Sequence, residues 1–254
     1  MIRPLTLALL LLFPVFTACA GMTYRADVGP MFARTGGDVA LQNAAGTLNL
    51  NQERNDVDGN FGLGDTEPAP YIRVEGNKDK HRFRVHGFGL DAEGSGTLDG
   101  DFGGLVSGSQ VQTTMEFFAI DANWGYQLLR NDHWRLAIGA QLAFYSLDVA
   151  ARSALGRESV DTQGLVPMPF GEVETMWGKF TFGANAGVMA VDLGDAKGVW
   201  FDAEAYARLQ LTPRFDLMGG VRYLLFDVEG RAEDRDFEAD MNIQGLFLTA
   251  GVSF

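Results

Sequence analysis

Cysteine is almost missing from this chain of 254 residues: Cys19 is the only one, so no disulfide scaffold can hold the chain together. Histidine occurs three times, at His81, His86 and His133, which leaves few centres for imidazole acid–base or metal chemistry. Basic residues are outnumbered, 20 against 33 acidic ones, and the formal charge is -13. That balance excludes nucleic acid as an expected partner, because phosphate binding needs a basic surface. Proline is sparse at eight residues. Beyond the leader there is no apolar run long enough to cross a bilayer as a helix. No linker and no low-complexity block interrupts the chain, so one large domain is expected.

What is present begins with a targeting segment over 1–20. Arg3 supplies a positive n-region, Leu5 to Phe16 an apolar stretch, and Thr17-Ala18-Cys19-Ala20 the small residues that precede cleavage. Ala18 and Ala20 form an A-x-A site that leaves Gly21 first. The alternative is lipoprotein-type cleavage before Cys19, although Phe16 departs from the usual aliphatic residue there. Residues 21–254 then form the folded domain.

Alternation of period two runs through that domain, the mark of strands with two unlike faces. Val199, Phe201, Ala203, Ala205, Ala207, Leu209 and Leu211 oppose Trp200, Asp202, Glu204, Tyr206, Arg208 and Gln210. The same split recurs over Trp134–Phe144, Phe180–Ala190 and Phe215–Leu225, with weaker examples starting at Tyr24, Ala69, His81, Thr113 and Leu165. About ten strands result. Eight is the alternative, because the strands after Ala69 and Leu165 are the weakest and Pro167 and Pro169 fit a strand interior poorly. Short turns at 76–80, 130–133, 178–179 and 212–214 alternate with longer stretches at 34–67, 92–109, 150–163, 191–197 and 230–236. Trp124, Tyr126, Trp134, Trp177, Phe180 and Phe215 gather beside the short turns, where amphipathic rings favour a membrane interface.

The last ten residues carry the sharpest address. Leu246, Leu248, Ala250, Val252 and Phe254 share one face and Gly245, Thr249, Gly251 and Ser253 the other. A closing strand ending on phenylalanine resembles that of Gram-negative outer-membrane β-barrels. The segment Leu48-Asn-Leu50, Phe61-Gly-Leu-Gly-Asp65 and His81–Val85 resembles the long first loop and following hairpin of porin-like outer-membrane proteins. The resemblance implies an all-β, antiparallel, up-and-down transmembrane β-barrel with periplasmic termini. Its location would be the outer membrane of a Gram-negative bacterium. Lipid and lipopolysaccharide would surround it, and the insertion machinery would read the strand of Leu248, Ala250, Val252 and Phe254.

If the apolar faces meet lipid, the opposite faces meet each other in the lumen. They carry Arg25, Asp27, Arg73, Glu75, Arg82, Arg84, His86, Asp121, Asn123, Arg135, Glu172, Glu174, Asp202, Glu204, Arg208, Asp216 and Arg222. Acids and bases nearly balance, so the expectation is a narrow lumen filled by paired charges, with a selective pore as the alternative. The likeness to small OmpA-type or OmpX-type barrels implies a structural or surface-interaction role. Among small outer-membrane barrels, omptin proteases resemble the chain in strand number but need a histidine at the outer rim, and lipid A deacylases need a Ser–His pair, for which no serine clearly pairs with His86. Here His81 and His133 fall at periplasmic turns and His86 in mid-strand, so no catalytic site, metal or cofactor is expected. Asp56, Asp58, Asn60 and Glu67 mimic calcium-loop offsets, but Phe61 stands where the essential glycine would be. A solvated acidic loop is expected there.

Overall fold

The computed structural model describes residues 21–192, 197–232 and 235–254. The leader assigned to 1–20, and with it the cleavage site at Cys19 or Gly21, lies outside the described residues. All regular structure described is strand. In chain order the strands are β1 (Thr23–Leu41), β2 (Asn55–Asp56), β3 (Glu67–Lys78), β4 (His81–Thr97), β5 (Gln110–Arg130), β6 (Trp134–Arg152), β7 (Arg157–Trp177), β8 (Phe180–Asp192), β9 (Lys197–Gln210), β10 (Phe215–Ala232) and β11 (Arg235–Ser253). Apart from two-residue β2, each long strand pairs antiparallel with its neighbours, and β11 pairs with β1.

The ring therefore closes with ten strands, which decides against eight. Closure is tight at the chain end: Tyr24 and Phe254 exchange backbone hydrogen bonds of 2.9 and 3.0 Å. Their rings stack with centroids 6.0 Å apart. A path that starts at Thr23 and steps through paired residues by way of Asn77, Arg82, Gly125, Gly139, Phe170, Gly187, Asp202, Leu224 and Ile243 returns to β1 at Thr35. The twelve-residue offset, at the usual strand spacings, tilts the strands by about 40° and sets a backbone radius of about 10 Å. Such a cylinder is narrow enough for long side chains to meet across it.

Outward positions carry the lipid belt. Val28, Phe32, Leu136, Ile138, Leu142, Leu165, Val188, Val221, Leu246 and Leu248 are exposed, and Trp124, Trp134, Trp177, Phe180 and Phe215 ring the short-turn end. Above the belt the strands continue. Glu116 on β5 and Asp227 on β10 occupy outward positions there and are exposed. Strands of 19 to 21 residues exceed the nine to eleven or so that span a bilayer, so β5, β6 and β7 project beyond the lipid. Of the stretches read as loops, 150–163 is thus largely strand, and 92–109 and 34–67 begin as strand. The hairpin between β6 and β7 turns over 153–156 alone, β4 runs to Thr97, and β1 runs to Leu41.

The prolines are accommodated at a price in pairing. Pro167 and Pro169 point outward within β7, and the β6 ladder runs through both without a break. The β8 ladder stops at Phe170–Gly187, immediately below them. Proline offers no N–H, so it survives where one flank of the strand is unpaired.

The remaining long loops do not simply present an acidic surface. Val57, Phe61 and Leu63 from 42–66 and Leu98, Phe102 and Leu105 from 98–109 are buried in one apolar cluster with Leu41, Leu90, Val111 and Met115. Phe61 meets Phe102 edge-on at 5.1 Å. Gly62 has φ of +69°, and a side chain there would collide with the Ser95 backbone, so only glycine lets the loop lie against β4. The loops cap the barrel mouth from within. Asp58 pairs with Arg34, Asn60 accepts from the Asp56 amide at 2.7 Å and donates to the Thr97 carbonyl at 3.0 Å, and Glu67 opens β3. The calcium-like offsets are therefore dispersed into the loop's own hydrogen bonds.

Candidate functional site

The barrel radius brings opposite walls within reach of arginine. All sixteen titratable lumen residues inferred from alternation lie on inward faces; fourteen are buried, and Arg25 and Arg135 are part-buried near the short-turn mouth. Neighbours along the register are one source of partners. Arg25 on β1 holds Asp27 at 2.9 Å and also Asp216 on β10. The wider network crosses the lumen. Arg73 on β3 pairs with Glu204 on β9, Arg84 on β4 with Glu172 on β7, and Arg222 on β10 with Asp121 on β5. Arg82 reaches Glu172 at 2.9 Å and Glu174 at 2.8 Å, and Arg135 meets Glu174 at 3.4 Å from the mouth.

Neutral donors complete the packing. Tyr71 donates its hydroxyl to Glu204 at 2.7 Å, and Tyr206 donates to Glu172 and Glu174. Gln141 donates to Asp202 at 2.8 Å and Asp121 at 3.1 Å, and Asn123 donates to Gln141 at 2.9 Å. The Arg73 guanidinium lies 4.5 Å from the Tyr206 ring centre, and Arg222 lies 5.2 Å from that of Phe88. Buried charges are tolerated when paired and hydrogen-bonded, and this arrangement pairs the guanidiniums with carboxylates while leaving single atoms such as Arg208 Nε without a partner. Tyr71, Tyr206 and Gln141 have the parity of their charged neighbours. That parity is the signal that places them in the network, although alternation alone assigned them no role.

His86 sits at the centre of the lumen, 3.6 Å from Glu204 and 4.0 Å from Asp121. With Asp121 and Asp202 it forms the one grouping among the described residues whose spacing suits a metal ion. Arg222 already stands between the two carboxylates, 2.8 Å from Asp202 and bonded to Asp121. Its guanidinium fills the cationic position that an ion would take. His81 stacks on Trp124 at the short-turn end, and the His133 carbonyl accepts from Met176 in the turn before β6.

The charges occupy only the lower storey. Above His86 the inward side chains become apolar: Phe88, Leu90, Met115, Phe117, Tyr145, Leu147, Met168 and Phe226 pack together beneath the loop cap. Phe117 stacks on Phe226 at 6.0 Å. The lumen thus has a charged lower half under an apolar upper half. Phe247 also points inward and stacks on Tyr71 at 4.7 Å.

A closed antiparallel ring with an apolar belt, an aromatic girdle and ion-paired interior charges defines a transmembrane β-barrel, the architecture of Gram-negative outer-membrane proteins. No protein-family model and no curated protein matches the sequence. Among solved structures the chain is similar to the outer membrane protease OmpT from Escherichia coli, with a TM-score of 0.57 at 11% identity, over 93% of this chain and 97% of that one. It also matches Neisserial surface protein A, NspA, with a TM-score of 0.40 at 13% identity over 92% and 98% of the two chains. The attachment invasion locus protein Ail of Yersinia pestis matches with a TM-score of 0.35 at 8% identity over 92% and 99%. At these identities the OmpT likeness shows the fold alone, and the other two superpose too loosely to carry an argument.

Proposed function

We propose that this outer-membrane barrel is a closed, non-conducting structural module that presents its capped outer end as an interaction surface. The observation supporting this reading is the set of ion pairs from opposite walls, Arg73–Glu204, Arg84–Glu172 and Arg222–Asp121, which fill the lumen at mid-height. The apolar storey and loop cap above them add a second closure. Lipid and lipopolysaccharide surround the belt in this reading, and the strand of Leu248, Ala250, Val252 and Phe254 serves as the insertion signal. Catalysis forms no part of it, because His81 and His133 sit at the short-turn end and His86 is enclosed by Asp121, Glu204 and Arg222. Swelling of proteoliposomes in small sugars and amino acids tests the proposal. The expected rate equals that of empty vesicles; solute entry that scales with protein content would favour a narrow channel instead.

A further inference from the structure

The periplasmic mouth of the lumen is built differently from its centre. A cavity of about 390 Å³ opens there, lined by Arg25, Arg82, Arg130, Arg135 and Arg208, with Glu75 as its one acidic side chain and the chain-terminal Phe254 beside it. At ~30 Å³ per water it has room for roughly a dozen water volumes. In a chain of formal charge -13, five guanidiniums around one opening run against the overall composition.

Arg25 turns to Asp27 and Asp216, and Arg82 also reaches Glu172 and Glu174, but Arg208 has only Glu75 as a carboxylate partner. The two Glu75 oxygens are already shared among Arg73, Arg82 at 3.0 Å, Arg84 at 3.3 Å and Arg208 at 3.4 Å. Arg208 is buried, and its other polar contact is the Met218 sulfur at 3.5 Å, a weak acceptor. The Nε atoms of Arg208 and Arg82 are buried with no hydrogen-bond partner. At the rim, Arg130 donates to the Asp79 carbonyl and Arg135 holds Glu174 at 3.4 Å. Arg208 is therefore the least fully paired guanidinium among those lining this solvent-connected space. A buried guanidinium without full pairing is costly, and an anion that accepts its bonds recovers that cost.

We propose that this cavity is an oxyanion-binding site facing the periplasm, taking a phosphate or carboxylate group held chiefly by Arg208 with Arg130 and Arg135 at the entrance. It lies below the ion pairs that close the lumen, so it is a binding pocket and does not require conduction.

The test is titration calorimetry of the protein extracted from membranes in zwitterionic detergent. Sodium phosphate and sodium citrate are titrated separately, with sodium chloride holding ionic strength constant. Saturable one-to-one binding of at least one anion is expected, and the anion that binds assigns the group as phosphate or carboxylate. Loss of one charge-assisted donor weakens binding by about tenfold, so Arg208→Gln is expected to show at least that loss. Arg231→Gln, at the opposite end, is expected to bind as the parent does. Should Arg208→Gln fail to fold, the double variant Arg130→Gln/Arg135→Gln decides. Absence of saturable binding by both anions overturns the proposal, as does undiminished binding in the arginine variants.

Discussion

Arg222 shows how single side chains hold the lumen together. Its register partner across the β9–β10 ladder is Glu204, yet its carboxylates are Asp202 on β9 and Asp121 on β5. Removing one member of a buried ion pair leaves the others charged and unpaired, at about 3–5 kcal/mol. Arg222→Met is expected to lower unfolding stability by that amount in urea titrations of the barrel in lipid vesicles. Adding Asp121→Asn and Asp202→Asn should recover much of the loss, because the uncompensated charges go with it. The inward direction of all these residues was legible from period-two alternation, since a strand can hide a charge only on the face away from lipid. Who pairs with whom was not legible. Pairing across the lumen depends on the radius and on the twelve-residue offset of the ring, and no local pattern carries either quantity.

At the scale of the elements, Pro167 and Pro169 explain the irregular wall. They point to lipid in β7, and the hydrogen-bond ladder to β8 ends one residue below Pro169. Pro167→Val/Pro169→Val restores two backbone donors and suits the pleat. Amide exchange at Val188 and Ala190 is expected to slow in that variant, and unchanged exchange would mean that the prolines do not set the seam. The same residues made β7 hard to read as a strand, because a proline is rare where both flanks pair, and sequence does not tell which flank is free. The projecting strand ends were obscure for another reason. Outside the belt the inward face turns apolar and the outward face polar, so the alternation inverts and no longer matches the lipid-facing pattern that marks the belt. The loop cap was misjudged as a solvated surface because Val57, Phe61 and Leu63 are interleaved with acids that lie in turns. Phe61→Ala leaves a cavity among Phe102 and Leu98 and costs about 3–5 kcal/mol of local packing. Limited trypsin digestion at Arg54 should then proceed faster than in the parent while the membrane-embedded part stays intact.

At the scale of the whole molecule, three closures act together: a ring sealed between β1 and β11, an ion-paired lower lumen, and an apolar upper lumen under two loops. The first was the most legible, because the terminal strand and the strand beginning at Tyr24 were the only edges left to pair, and open edges do not persist in hydrocarbon. Phe254 contributes both backbone bonds of the final pair. Deleting Val252 to Phe254 is expected to impair membrane assembly more than any substitution in the 42–66 loop, as read by the heat-modifiable gel shift of folded barrel. The central claim is that the lumen is shut, and single-channel recording in planar bilayers tests it most directly. Closure predicts a flat current at moderate voltage from the parent protein. Reproducible conductance steps from the parent that shift when Arg82 or Glu204 is neutralised would contradict it.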